Sequence, residues 1–193
     1  MVTIVKEKKM SKTLSNILTV FKVLRIIAKV VFILCIVGAV GSLVGLVALP
    51  VAQLIVPSEV LIENGFEGAS TYAALCAGII TCLGEGAFAF FAEKYFSKIM
   101  NDGTPFTFDG AKESMRLGLI SIIVSVAVSV MSGLVLGIII LVSGKVTEFN
   151  FESSVNITTG LFFMFMSLIF KHGAELKARG EEEIKTDDMN ENA

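Results

Sequence analysis

The sequence predicts an all-α integral membrane protein: a four-helix transmembrane bundle with an N-terminal amphipathic basic helix and short cytoplasmic helical extensions. Two observations lead to this fold class. Hydrophobic residues make up 54% of the 193 residues, which is high for a soluble domain. The segment from Leu117 to Val142 contains no charged residue and is long enough to cross a hydrocarbon layer of roughly 30 Å. We therefore expect residues 1–193 to form a single membrane domain.

The basic N-terminal segment, residues 1–25, is the first predicted element. Up to Lys29 the chain has seven Lys or Arg residues and one acid, Glu7. A helical wheel separates an apolar face, which includes Ile17 and Phe21, from a basic face. Such a helix is typical of the headgroup region of a membrane. A cleaved secretory signal is the alternative, but the basic region is too long for one.

Four apolar segments predict the spans, at about 26–49, 69–92, 117–142 and 153–170. Pro50 is expected to end the first span. Residues 101–105 are a turn signal, and Thr107 or Asp109 is expected to cap the helix that enters the third span. From residue 174 the chain becomes polar and acidic, which predicts a short helix that frays toward residue 193.

Small residues inside the spans predict where helices pack closely, because helices in lipid associate through small side chains. Gly41 and Gly45 form a GxxxG pair, and Gly78 lies in the second span. In the third span a small residue recurs at every fourth position: Ser121, Ser125, Ser129, Gly133 and Gly137. These seams could pack within the chain or form a homodimer, and the sequence leaves that choice open.

The distribution of cations predicts the topology. Fifteen Lys and Arg residues lie on one side of the four spans, and Lys145 alone lies on the other. The positive-inside rule then places both termini in the cytoplasm of a multi-pass protein of the cell (inner) membrane. The lipid bilayer is accordingly an expected partner, and no basic patch typical of nucleic-acid binding is present.

Glu85 is an acidic side chain within the second predicted span. A charge near the bilayer centre costs roughly 2.5 to 3.5 kcal/mol, so it should face protein or water. Counting along the spans puts Ser125 at a similar depth, and Lys29 could reach toward it, so we expect Ser125, Lys29 or both to hold Glu85. A proton or cation site is one interpretation, and a paired or protonated carboxyl that fixes helix register is the one we favour.

No pattern of catalytic or metal-binding residues is recognisable. Cys35, Cys76 and Cys82 lie in apolar segments without metal-ligand spacing, and His172 is the only histidine. We therefore expect no enzyme activity, no metal and no cofactor.

Two short motifs resemble a known family. The first contains Gly103-Thr104-Pro105-Phe106, and the second contains His172-Gly173-Ala174-Glu175-Leu176. Together they resemble the bacterial membrane family called domain of unknown function twenty-nine seventy-five, which has a GxPF-type loop before its third span and a YG-x-x-L-type exit from its fourth. His172 stands where that family usually has an aromatic residue. The resemblance implies four spans and no established catalytic residues. It also implies a partner in signalling or stress response, since family members are often encoded beside a small helix-turn-helix regulator.

The functional prediction is a non-enzymatic bacterial inner-membrane protein that regulates or binds a cytoplasmic regulator or a membrane partner. The expected contact surface is the loop Gly103, Thr104, Pro105 and Phe106 together with the two termini. The alternative is a small transporter or channel component. It would use Glu85 and a polar stripe formed by Ser121, Ser125 and Ser129.

Overall fold

The computed structural model describes residues 2–57, 60, 68–144 and 157–191, with side chains described between residues 15 and 183 of those ranges. Four helices follow one another: α1 (Val2–Ile55), α2 (Gly68–Asp102), α3 (Phe108–Ser143) and α4 (Ile157–Glu191). Each contains a segment long and apolar enough to cross a membrane, and the described ranges contain no strand. This confirms the predicted all-α membrane fold, and the chain is a multi-pass membrane protein.

The contacts within the chain group into two compact units, and the single membrane domain stays a prediction. The charged unit comprises Met1–Ala28, Phe91–Ile120 and Ile157–Ala193. The apolar unit comprises Lys29–Phe90 and Ser121–Asn156. The charged unit holds most of the ionisable side chains, because it contains the polar ends of the helices, and the apolar segment of α4 also belongs to it.

Helix α1 differs from its prediction at Pro50. The helix continues through this proline to Ile55, and the Val56 amide still donates to the Ala52 carbonyl at 2.9 Å. A proline removes one backbone donor, but membrane helices tolerate it because neighbouring groups compensate the freed carbonyl. The helix is also unbroken from Val2, so the predicted basic segment 1–25 and the predicted span 26–49 are parts of one element.

The predicted turn between α2 and α3 is confirmed. Helix α2 ends at Asp102, and Gly103 follows with a φ of +69°, a conformation in which a side chain would be strained. Thr107 is the N-cap of α3, because its hydroxyl accepts a hydrogen bond from the Gly110 amide at 2.9 Å. Asp109, the alternative cap, lies in the first turn instead.

Two predictions concern the segments around α4. Residues 153–156 of the predicted fourth span lie outside the described residues, and so does Lys145, the one cation predicted to be external. At the other end α4 runs to Glu191, so the helix is longer than the short, fraying segment that the polar composition predicted.

In the apolar unit, α1 and α2 pack antiparallel through small residues. A Cβ added to Gly38 would lie 2.9 Å from the Cys82 sulfur, and one added to Gly45 would lie 2.9 Å from a methyl of Leu75. Between these contacts, a Cβ on Gly78 would lie 2.8 Å from the hydroxyl oxygen of Ser42. The predicted packing roles of Gly45 and Gly78 therefore agree with the structure, whereas a Cβ added to Gly41 would meet no described atom within 4 Å.

Helix α3 packs through a different seam from the predicted one. Its buried residues in the apolar unit are Ser121, Ser125, Val128 and Ser132, which alternate steps of four and three residues. Ser129 is exposed, and a Cβ on Gly133 or Gly137 would meet no described atom within 4 Å. The physical reason is helical geometry, because each step of four residues turns the chain about 40° past a full turn. A strict every-fourth line therefore leaves the packed face, whereas alternating steps stay on it.

Candidate functional site

Glu85 lies half-buried in the apolar unit, between two glycines that make close helix contacts. Gly84 approaches α3, where Val128 contacts the position a Cβ would take and Val124 lies 3.3 Å from it. Gly86 approaches α1, where a Cβ would lie 3.3 Å from the Cβ of Cys35. The Gly-Glu-Gly sequence therefore brings two helices close to one carboxyl side chain, which is the environment that an acid inside a membrane needs.

The helix register supports one part of the predicted Glu85 cluster. Because Gly84 lies against both Val124 and Val128, Ser125 is level with Glu85, as counting along the spans predicted. Lys29 lies six residues before Cys35, which is roughly 9 Å farther along α1. Glu85, Ser125 and Lys29 each interact with at least one other group. Their pairing with one another stays a prediction.

The serines of α3 do not form the predicted stripe. Ser121 and Ser125 are buried, but Ser129 is exposed. Ser132, which the prediction omitted, is only 1% exposed. The hydroxyls of Ser121 and Ser132 have no hydrogen-bond partner among the described residues. Buried polar groups without a partner are uncommon, so these two hydroxyls are candidates for parts of a polar path through the apolar unit.

In the charged unit, hydrogen bonds from two serine hydroxyls join α3 to α4. This contact was not predicted from the sequence. Ser114 donates to the Phe163 carbonyl at 2.9 Å, and Ser167 donates to the Ala111 carbonyl at 2.7 Å. About one turn beyond the Ser114 bond along α3, a Cβ added to Gly118 would lie 2.7 Å from the Gly160 carbonyl oxygen. The small residues Ala111, Ser114 and Gly118 follow one another at spacings of three and four residues, a pattern that predicts one packed face of a helix. This pattern could have identified the seam from the sequence.

The two motifs that suggested a family meet in the charged unit. The Phe106 ring lies 5.8 Å from the Phe170 ring at 83°, an edge-to-face arrangement. A Cβ on Gly173 would lie 2.6 Å from the Phe106 ring, so only glycine leaves room for this contact. Phe106 of the loop therefore packs on the surface of α4 that the second motif forms.

The loop itself is held by its own hydrogen bonds. The Phe106 amide donates to the Thr104 hydroxyl at 3.2 Å, and the Thr107 amide donates to the Pro105 carbonyl at 3.0 Å. The Pro105 side chain is fully buried. Two of the four predicted contact residues, Pro105 and Phe106, are therefore used inside the molecule. A large apolar side chain that is exposed at this place is Phe108, the first residue of α3, at 56% exposure.

A cleft of about 740 Å³ lies in the charged unit, between α1, α2 and α3. Four cations and two carboxylates line it, an excess of two positive charges. Arg25 donates to Glu93 at 3.0 Å, and Lys98 lies 3.3 Å from Glu113. Arg116 lies 3.9 Å from the same Glu113. These charges predict the topology from the sequence, but their meeting in one cleft depends on how the three helices pack.

Tyr95 lines the same cleft, beyond the predicted end of the second span at Ala92. Its ring is buried against Phe96 and Phe163, at centroid distances of 5.3 and 6.2 Å. Burial raises the pKa of its hydroxyl to about 12, and the Ser114 side chain opposes this rise to a smaller extent. Tyr95 therefore stays neutral at physiological pH and serves as part of the packing between α2, α3 and α4.

The apolar face of the N-terminal helix faces protein in the charged unit. The Phe21 ring lies 5.9 Å from the Phe96 ring. Ile17 and Phe21 line an apolar groove of about 400 Å³ with aromatic residues of α2 and α4. The prediction placed this face in the headgroup region, and it missed the other helices that the face meets.

The described residues contain no group of three or more metal-ligating side chains. Comparison with models of protein families, with curated proteins and with solved structures finds no significant match for this chain. The resemblance to the family named above therefore stays a prediction.

Proposed function

We propose that this chain is a non-enzymatic regulatory or interaction protein of the inner membrane, which contacts a partner with the loop between α2 and α3. The observation that carries the proposal is the form of this loop. Hydrogen bonds at Thr104 and Thr107 hold its backbone, while Phe108 beside them is 56% exposed. A rigid backbone lowers the entropy cost of binding, and exposed aromatic side chains are frequent anchors of interfaces.

The proposed orientation puts this loop and both termini in the cytoplasm. It rests on the cations, fifteen of which lie on that side of the spans. Phe108 precedes Leu117, where the uncharged segment begins, by nine residues, which is about 13 Å of helix. Phe108 therefore lies outside the predicted third span, and its exposed ring is available to a partner. The contact of Phe106 with Gly173 makes the loop and α4 one surface, which supports treating the two motifs as parts of one site.

The test is purification of the tagged full chain from native membranes in mild detergent, with identification of stoichiometric companions. Phe108→Ala removes the exposed ring without touching the bonds that hold the loop. Met115→Ala is the matched control, because Met115 is also exposed on α3, two turns farther along. We expect the Phe108 variant to retain less than a tenth of the partner, and the Met115 variant to retain it.

Two results would contradict this proposal. One is a wild-type chain that purifies without any stoichiometric companion. The other is a Phe108→Ala protein that keeps its partner at the wild-type ratio. If the variants are as thermally stable as the wild type, loss of the partner is caused by the missing Phe108 ring and not by unfolding.

The second candidate function is transport of a proton or small cation through the apolar unit. The observation that favours it is the pair of buried hydroxyls, Ser121 and Ser132, that have no partner among the described residues. Such a path would include Glu85 and Ser125 and leave out the exposed Ser129. Glu85→Gln tests it in liposomes: loss of flux by a folded variant supports transport, and wild-type flux, or no flux in either protein, contradicts it.

A further inference from the structure

We propose that the cleft of the charged unit binds the headgroup of an anionic phospholipid. This goes beyond the proposed function, because the cleft is lined by other residues than the Phe108 loop and would recognise lipid instead of protein. Three features of the cleft carry the proposal: its position along the helices, its excess of positive charge and its apolar lining.

The position of the cleft is the level at which three helices change from apolar to charged. On α1, Arg25 immediately precedes the apolar run that begins at Ile26. On α2, Phe91 is followed after one residue by Glu93 and Lys94. On α3, Arg116 immediately precedes Leu117. Headgroups lie at this boundary in a bilayer, so the cleft opens where a phospholipid presents its phosphate.

The charge of the cleft leaves two cations available to an anion. The Glu93 carboxylate accepts from Arg25 at 3.0 Å, and Lys98 lies 3.3 Å from Glu113. Arg116 shares Glu113 at 3.9 Å and has a side chain that is 73% exposed. Lys94 lines the cleft, and no carboxylate in the described part of the chain lies within ion-pair distance of it. The phosphodiester of a lipid headgroup between Lys94 and Arg116 would offset one of the two excess positive charges.

The apolar lining favours a lipid over a free phosphate ion. Phe91, Leu117 and Ile120 line the cleft beside the cations, and Phe91 is 42% exposed. A phospholipid would place its glycerol and upper acyl carbons on these residues, whereas an inorganic anion would gain nothing from them. The cleft volume of about 740 Å³ is in the range of small-molecule sites and accommodates a glycerophosphate group.

The test measures binding of phosphatidylglycerol, with phosphatidylcholine as the neutral comparison, to the full chain purified in mild detergent. Native mass spectrometry at increasing lipid concentration reports the affinity of each. The variant is Lys94→Gln combined with Arg116→Gln. Its matched control is Lys112→Gln combined with Lys177→Gln, which removes the same charge from exposed lysines that do not line the cleft.

We expect the cleft variant to bind phosphatidylglycerol about 30-fold more weakly than wild type, because each cation near an anionic headgroup contributes roughly fivefold. The control pair should bind as wild type does. Glu113→Gln is a second variant with the opposite expectation. It removes a negative charge and releases Lys98, so binding should become about fivefold tighter or more.

Three outcomes would overturn the proposal. The first is equal affinity of the wild-type chain for phosphatidylglycerol and phosphatidylcholine. The second is the same loss of affinity in the control pair as in the cleft pair. The third is displacement of the lipid by glycerol phosphate at equal concentration, which would make the cleft a site for soluble phosphates. Should the cleft pair fail to fold, weaker or unchanged lipid binding by Glu113→Gln would overturn the proposal by itself.

Discussion

The substitution Gly118→Ala tests the contact between α3 and α4 at its closest point. The added Cβ would lie 2.7 Å from the Gly160 carbonyl oxygen, 2.9 Å from Cγ of Met164 and 3.1 Å from the Met164 backbone nitrogen. Two of these three atoms belong to the backbone of α4, so no side-chain rotation can relieve them. The helices must separate by several tenths of an ångström.

The expected loss of stability follows from three contributions. Overpacking of this kind costs roughly 1 to 3 kcal/mol. Separation also lengthens the hydrogen bonds from Ser114 and Ser167, each contributing about 0.6 kcal/mol in a membrane protein. Alanine has a higher helix propensity than glycine, and this difference offsets about 1 kcal/mol of the loss in stability. We therefore expect a net loss of about 1 to 3 kcal/mol, at the scale of the overpacking cost.

Gly133→Ala is the matched control in the same helix. Its Cβ would meet no described atom within 4 Å, so the helix preference acts alone and stabilises by about 0.5 to 1 kcal/mol. Both variants are compared with wild type by reversible unfolding in mixed micelles, followed by far-UV circular dichroism as the fraction of denaturing detergent rises. The two substitutions should change the free energy of unfolding in opposite directions.

A Gly118→Ala protein as stable as the wild type would refute the reasoning, because it would show that α3 and α4 do not approach as closely as described. A destabilised Gly133→Ala protein would show instead that Gly133 faces a partner. If that loss were accompanied by conversion of a dimer into a monomer on sedimentation, it would identify the homodimer seam that the sequence left open.

The remaining predictions concern single contacts of the charged unit. Thr107→Ala removes the N-cap bond to the Gly110 amide and should cost about 1 kcal/mol, whereas Thr107→Ser, measured by the same unfolding assay, should cost far less. Ser167→Ala removes the hydrogen bond to the Ala111 carbonyl and should lower the free energy of unfolding by about 0.6 kcal/mol. A variant as stable as the wild type would contradict this prediction. Gly173→Ala should be destabilising because of the Phe106 ring. In a double-mutant cycle, Phe106→Leu should reduce that penalty by about 1 kcal/mol, and strict additivity would contradict the contact.

Local features of the chain were predictable because their causes lie within a few residues. The long uncharged segments predict helices, since a backbone in lipid must satisfy its hydrogen bonds internally. The turn at Gly103 and the cap at Thr107 were predictable for the same reason, because side-chain and backbone groups of neighbouring residues form them. Pro50 shows the limit of local rules, since the helix continues through it to Ile55.

The identity of the packed faces was decided by the tertiary structure. Gly118 and Gly133 are equally small and lie on the same helix, yet only Gly118 is pressed against another backbone. Glu113 and Lys98 are separated by 15 residues, and their pairing depends on how α2 and α3 lie side by side. The loop residues Pro105 and Phe106 were expected to meet a partner, but Pro105 is buried and Phe106 packs on α4.

The sequence by itself therefore determined that this protein has four membrane-crossing helices and where its main turn lies. The tertiary structure alone decided which side chains meet: the α3–α4 seam at Gly118, the approach of α3 and α1 to the two glycines beside Glu85, and the cleft whose cations come from three helices. The physical reason is that helix formation depends on neighbours along the chain, whereas packing depends on the angle around each helix at which its neighbours approach. Small residues lie on several sides of these helices, so composition cannot specify that angle.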